Sequence, residues 1–84
     1  MTYSLIKLLS ITIFIAQKQK NKILTTLLFD YAKIKINKKQ LIMLYLLIYN
    51  YKEKKLSIEK NLYNFFDSYI RYYGNHICKD LLYK

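Results

Sequence analysis

Residues 41–51 read Leu-Ile-Met-Leu-Tyr-Leu-Leu-Ile-Tyr-Asn-Tyr, eleven positions with no charge and no polar face. The run is short of the ~20 apolar residues that a bilayer crossing needs, and it suits a buried helix better. The chain has 84 residues, enough for one small domain over 1–84. Burying every side of one helix in so small a body is hard. At least one face is therefore expected to meet a partner or a membrane. Leu41, Leu44, Tyr45, Leu47 and Ile48 are the candidate packing residues.

Nothing covalent relieves this shortage of covering material. Cys78 is the single cysteine, so no intramolecular disulfide staples the core. A hydrophobic content of 54% argues against disorder. With no proline and only Gly74, collagen-like, linker-like and glycine-rich phosphate-loop readings fall away.

The composition carries a bias. The chain has 14 lysines against one arginine, 12 isoleucines, ten tyrosines and no valine. A/T-rich codons encode the enriched set, which points to an organelle, a reduced endosymbiont or a parasite. Abundance is therefore weak ground for inference, and position is firmer. The net charge of +10 still attracts phosphates and anionic lipid head groups. It is concentrated: residues 17–39 hold seven lysines and Asp30, whereas residues 40–51 hold no charge.

Residues 3–16 form the other apolar stretch, interrupted by Lys7. Ile11, Ile13 and Ile15 alternate as in a strand, so helix and strand both stay open. The stretch is read as a core or partner-packed element. Residues 1–16 as a separate membrane-embedded segment, or as a cleaved signal, are the alternatives. Asn21 then offers an N-cap, and Ile23, Leu24, Leu27, Leu28, Tyr31 and Ile34 recur at helical spacing up to about Asn37. Lys33-Ile34-Lys35-Ile36 alternates like an edge strand. Further on, Ser57 is a candidate N-cap with Glu59 in the first turn. Ile58, Leu62, Phe65, Phe66, Tyr69, Ile70 and Tyr73 make one broad stripe over a helix at 57–73, with Phe65 expected in the core. Gly74-Asn75 is the expected stop, followed by a short helical turn from Ile77. The predicted fold is mainly α, a small bundle of two to four helices, with a small α+β fold as the alternative.

No arrangement of catalytic type emerges. His76 and Cys78 stand two apart, about 200° around a helix, with no acid placed to orient the histidine. One cysteine and one histidine fall short of a zinc site. Asp30, Glu53, Glu59, Asp67 and Asp80 are scattered and suit caps or counter-charges. The expectation is no enzyme, no metal and no cofactor.

The basic segment carries the most functional content. Lys18, Lys20, Lys22, Lys33, Lys35, Lys38 and Lys39 can neutralise phosphates or anionic lipid head groups. With Arg71 the lone arginine, bidentate base reading is nearly absent, so contact with structured RNA would follow backbone and shape. Tyrosines 45, 49, 51, 63, 69, 72 and 73 suit helix packing first and base stacking second.

Leu5-Ile6-Lys7, Asn37-Lys38-Lys39-Gln40-Leu41 and Tyr49-Asn50-Tyr51-Lys52 resemble an α+β large-subunit ribosomal family beside the peptide exit tunnel. Phe14-Ile15-Ala16 and Lys22-Ile23-Leu24 resemble a small-subunit ribosomal family equally well. Two unrelated families fitting alike carry over no functional residue. The expected role is a small basic non-enzymatic component of a larger assembly, foremost a ribosomal or other RNA-binding protein from an A/T-rich organellar or reduced genome. The alternative is a small membrane-associated protein or membrane-complex subunit, with lipids and sister subunits as partners. A reading frame without a selected function is the third option.

Overall fold

The computed structural model describes the backbone of residues 4–82 and the side chains of residues 4–74. Four helices follow in order: α1 (Leu5–Lys18), α2 (Lys22–Lys35), α3 (Lys38–Lys52) and α4 (Lys60–Leu82). The described residues contain no strand, so the α+β alternative falls and the chain is an all-helical bundle.

Helix α1 is the hub. It packs against α2, α3 and α4, whereas among the described residues the backbones of α3 and α4 do not approach each other closely. Leu9, Ser10, Ile11, Ile13, Phe14, Ile15 and Ala16 are all buried, on every side of the helix. This resolves the alternation of isoleucines in favour of helix. The helix penalty of a β-branched residue is tenths of a kcal/mol, while burying an Ile or Phe side chain contributes about 1.5–3 kcal/mol. The two hydroxyls of this stretch are satisfied within α1: Ser10 donates to the Lys7 carbonyl at 2.7 Å and Thr12 to that of Leu8 at 2.6 Å.

Two packed clusters share α1. One joins Ile11, Phe14, Ile15 and Ala16 to Leu24, Tyr51 and Ile70, with Leu62 and Phe66 against it. The other joins Leu9 and Ile13 to Ala32, Ile36, Leu44 and Ile48. The α2 stripe is therefore narrower than its spacing suggested. Leu24 and Ala32 are buried and Leu28 partly so, while Ile23, Tyr31 and Ile34 are exposed. Likewise, the apolar-all-round helix that the fold encloses is α1 and not α3, which buries only Leu44, Ile48 and Tyr51.

Helix ends are made almost without glycine. Lys20 and Lys54 adopt left-handed backbone, φ 59° at each. At the first, Lys20 N–H donates to the Gln17 carbonyl and Asn21 N–H to that of Ala16. At the second, Lys54 N–H donates to Tyr51 and Lys55 N–H to Asn50. These are paired closing bonds of a kind that usually employs glycine. Between α2 and α3, Ile36 turns extended and stays buried, and Asn37 begins α3. Asn37 Oδ1 accepts from Gln40 N–H at 2.8 Å, and Gln40 Oε1 accepts from Asn37 N–H at 3.0 Å. The strand-like Lys33–Ile36 alternation is thus the last turn of α2 and its exit.

Two expectations about α4 are corrected. Ser57 is not its cap. Glu59 accepts from the N–H groups of Asn61 at 3.0 Å and Leu62 at 3.1 Å, so the helix starts at Lys60. A carboxylate at this end also faces the positive end of the helix dipole. Gly74 is not a stop either: α4 continues through it to Leu82, and its φ is not positive. A Cβ at Gly74 would lie 3.3 Å from Asn21 Nδ2 and 3.5 Å from Leu24 Cδ2. Glycine lets α4 cross closely over the start of α2.

Candidate functional site

The sequence-predicted lysines do not form one patch. Lys18 folds back onto the protein, its Nζ 5.5 Å from the Phe14 ring centroid and 5.8 Å from that of Tyr63. Lys20 and Lys22 flank the α1–α2 turn. With Gln19, Asn21, Ile23, Ile70 and Arg71 they line an open cleft of about 580 Å³. Lys33, Lys35, Lys38 and Lys39 surround the α2–α3 turn, all exposed and none in an ion pair with a described residue. The two groups stand at opposite ends of α2, with Lys22 and Lys33 about 17 Å apart along the helix axis.

One acid organises the cleft's rim. Gln19 Nε2 donates to Asp67 Oδ1 at 2.9 Å and to the Asp67 carbonyl at 3.0 Å. Arg71 Nε donates to Asp67 Oδ2 at 3.1 Å. The Gln19 hydrogen bond holds the Asp67 carboxyl below its usual range, against a desolvation cost, with further help from Arg71 and Lys18. Arg71 is thereby committed within α4, leaving Lys20 and Lys22 as the cleft's cations without an acidic partner among the described residues.

The packing residues expected on α3 divide. Leu44 and Ile48 belong to the core, and Leu41 and Leu47 are partly buried against this chain's own helices. Tyr45 is exposed on one side and stacks on Phe29 of α2 with centroids 5.5 Å apart. The face presented to solvent is formed by Ile42, Met43, Tyr45, Leu46 and Tyr49, with Ile42 62% exposed. Lys38 and Lys39 stand at its start and Lys52 at its end, and Lys55 reaches to 5.5 Å from the Tyr49 ring centroid. Sequence reasoning singled out Tyr49 among the tyrosines but passed over Ile42, Met43 and Leu46. A projection at about 100° per residue places Lys38, Lys39 and Lys52 within a right angle of Ile42, which marks that side as the outer one.

A second exposed face lies on α4. The broad stripe splits: Ile70 is buried and Leu62 and Phe66 partly so, while Phe65, Tyr69 and Tyr73 point outward, joined there by Tyr72. The outward rings form a ladder. Phe65 and Tyr69 stack at 6.2 Å, and Tyr73 lies 4.8 Å from both Tyr69 and Tyr72. With Asn61, Asn64 and Ser68 they make one shallow surface that contains no charged residue among the described ones.

No family model matches the chain, and no curated protein or solved structure shows a significant match. The site is therefore read from its own chemistry. Among the described residues no His, Cys, Asp and Glu cluster in a way that could hold a metal ion. The side chains of His76, Cys78 and Asp80 lie outside the described residues. Asp30 and Glu53 are exposed, Glu59 caps α4, and Asp67 is held by Gln19 and Arg71. No helix among the described residues is long and apolar enough to cross a membrane.

Proposed function

We propose that the protein is a small, basic, non-enzymatic component of a larger assembly, holding structured RNA by its backbone. The observation that carries this reading is the cluster of Lys33, Lys35, Lys38 and Lys39 around one short turn, without acidic partners among the described residues. Lys20 and Lys22 form a second foothold at the far end of α2. Two footholds about 17 Å or more apart along α2 suit contacts with separated phosphates along a folded RNA. Ammonium groups on flexible stems neutralise phosphates without reading bases. Filter binding of the full chain to a structured RNA hairpin tests it. Affinity should fall steeply between about 50 and 200 mM salt, and replacing the four turn lysines with glutamine should flatten that slope. A flat response in the unmodified chain refutes the reading.

One observation favours a second reading, association with an anionic membrane surface. The outer face of α3 is apolar in its middle and lysine-flanked at both ends, with two tyrosines between. Such a face can bed among acyl chains while its lysines reach the head groups. Flotation separates the two. A lipid-docking protein should rise with vesicles containing phosphatidylserine and stay behind with pure phosphatidylcholine, and Ile42→Glu should abolish the effect. An RNA-binding component should not float.

A further inference from the structure

The ladder on α4 differs from the outer apolar faces of α2 and α3. The outer face of α3 is bounded by Lys38, Lys39 and Lys52. The exposed Ile23, Tyr31 and Ile34 of α2 are interspersed with Lys22, Lys33 and Lys35. Among the described residues the α4 surface contains four outward aromatic rings, two asparagines and a serine, with no charge. On a chain of net charge +10, a neutral face is where a like-charged body can approach closely. We infer that this face pairs two copies of the chain, α4 against α4, in an antiparallel two-fold contact centred near Tyr69.

Several features fit that occupant. An antiparallel arrangement about Tyr69 brings Phe65 of one copy to Tyr73 of the other, so the ladder meets itself in register. Opposed helix dipoles favour the same orientation. Composition matches the core of a protein interface, which is rich in Tyr and Phe and depleted of charge. The same pairing on α3 would set Lys38 and Lys39 against Lys52 of the other copy. Tyr72 is 72% exposed and Phe65 63%. With aromatic side chains of about 150–250 Å² each, the four rings offer roughly 450 Å² per copy. With the flanking Asn61, Asn64 and Ser68, the total for two copies is at most about 1,000–1,200 Å², the size of a weak, transient interface. The dimer is therefore expected to be reversible. Its salt dependence is opposite to that of phosphate binding: screening of two +10 bodies should strengthen it.

Sedimentation equilibrium of the full chain, at low and moderate salt, tests the inference independently of RNA or lipid. The expected result is a monomer–dimer equilibrium that tightens as salt rises. Tyr69→Arg should abolish the dimer, Tyr69→Phe should preserve it, and Ile42→Arg on α3 should leave it unchanged, with helical circular dichroism retained in all three. A monomer at every concentration and salt overturns the inference. So does a dimer that survives Tyr69→Arg, one that is lost with Ile42→Arg, or open-ended association without a dimer limit.

Discussion

The Tyr51 hydroxyl of α3 lies 3.4 Å from Ser10 Oγ of α1, both inside the core. Ser10 spends its one proton on the Lys7 carbonyl at 2.7 Å, so in this pair Tyr51 donates and Ser10 accepts. The Tyr51 ring also packs on Phe14 with centroids 5.6 Å apart. A single residue thus joins the end of α3 to the middle of the hub helix through both polar and apolar contact. At 3.4 Å the hydroxyl pair is long, so its coupling should sit near the low end of the ~0.5–1.5 kcal/mol of a neutral hydrogen bond. Tyr51→Phe, Ser10→Ala and the double variant measure it. The double variant should cost less than the sum of the singles in urea unfolding; strict additivity would show that the two hydroxyls do not interact.

The left-handed lysines give a stabilisation test. Lys20 and Lys54 occupy a conformation that costs an L-residue roughly 1–2 kcal/mol and costs glycine little. Part of that gain is offset by the extra freedom of glycine in the unfolded chain. Lys20→Gly and Lys54→Gly should each stabilise by about 0.5–1 kcal/mol in thermal melts, provided the closing bonds survive. Replacement by valine at either position should destabilise. Equal melting of the glycine and valine variants would show that the backbone there is not left-handed.

Burial on α4 separates neighbours in sequence. Ile70 is buried against α1 and α2, while Phe65 is mostly exposed. Ile70→Ala should therefore cost ~2–5 kcal/mol. Phe65→Ala should cost well under ~1 kcal/mol in the monomer, since surface changes are usually small. The reverse order in chemical denaturation at dilute protein would mean that α4 turns its Phe65 side, not Ile70, toward α1.

Acid sensitivity should track the junction of α1 and α4. Hydrogen bonding by Gln19, then Arg71, lowers the Asp67 pKa in the folded state. A depressed folded pKa contributes stability that is present above the unfolded value, about 3.9, and is lost as pH falls through the lower folded value. Asp67→Asn should thus shrink the stability difference between neutral pH and pH ~3, and Gln19→Leu should do the same by removing the leading cause. An unchanged pH profile for Asp67→Asn would rule the junction out as a source of acid sensitivity.

Gly74 tests close packing against helix propensity. Alanine in a helix interior usually gains about 1 kcal/mol over glycine. Here the new Cβ meets Asn21 Nδ2 at 3.3 Å, and Asn21 is held in place because its Oδ1 caps α2 by accepting from Leu24 N–H at 3.1 Å. Gly74→Ala should gain much less than the usual amount, and Gly74→Leu should lower the melting temperature. A full propensity gain would show that α4 does not press on the start of α2.

What local chemistry settles was readable along the chain. Asn21 caps α2 as its position implied, residues 41–51 are helical, the segment after Glu59 is helical, and the surplus of apolar surface left outer faces uncovered. These follow from caps, spacing and the scarcity of covering residues, all of which act within a few positions or through composition. Which side of each helix faces inward was a different matter. Ile23 and Leu24, or Phe65 and Phe66, are equally apolar, and only the position of α1 among three neighbours makes one of each pair the more buried. The same holds for Gly74, whose value lies in its distance to a residue 53 positions earlier. Packing choices of this kind depend on contacts remote in sequence, so they were set when the helices met and not by the periodicity of any one of them.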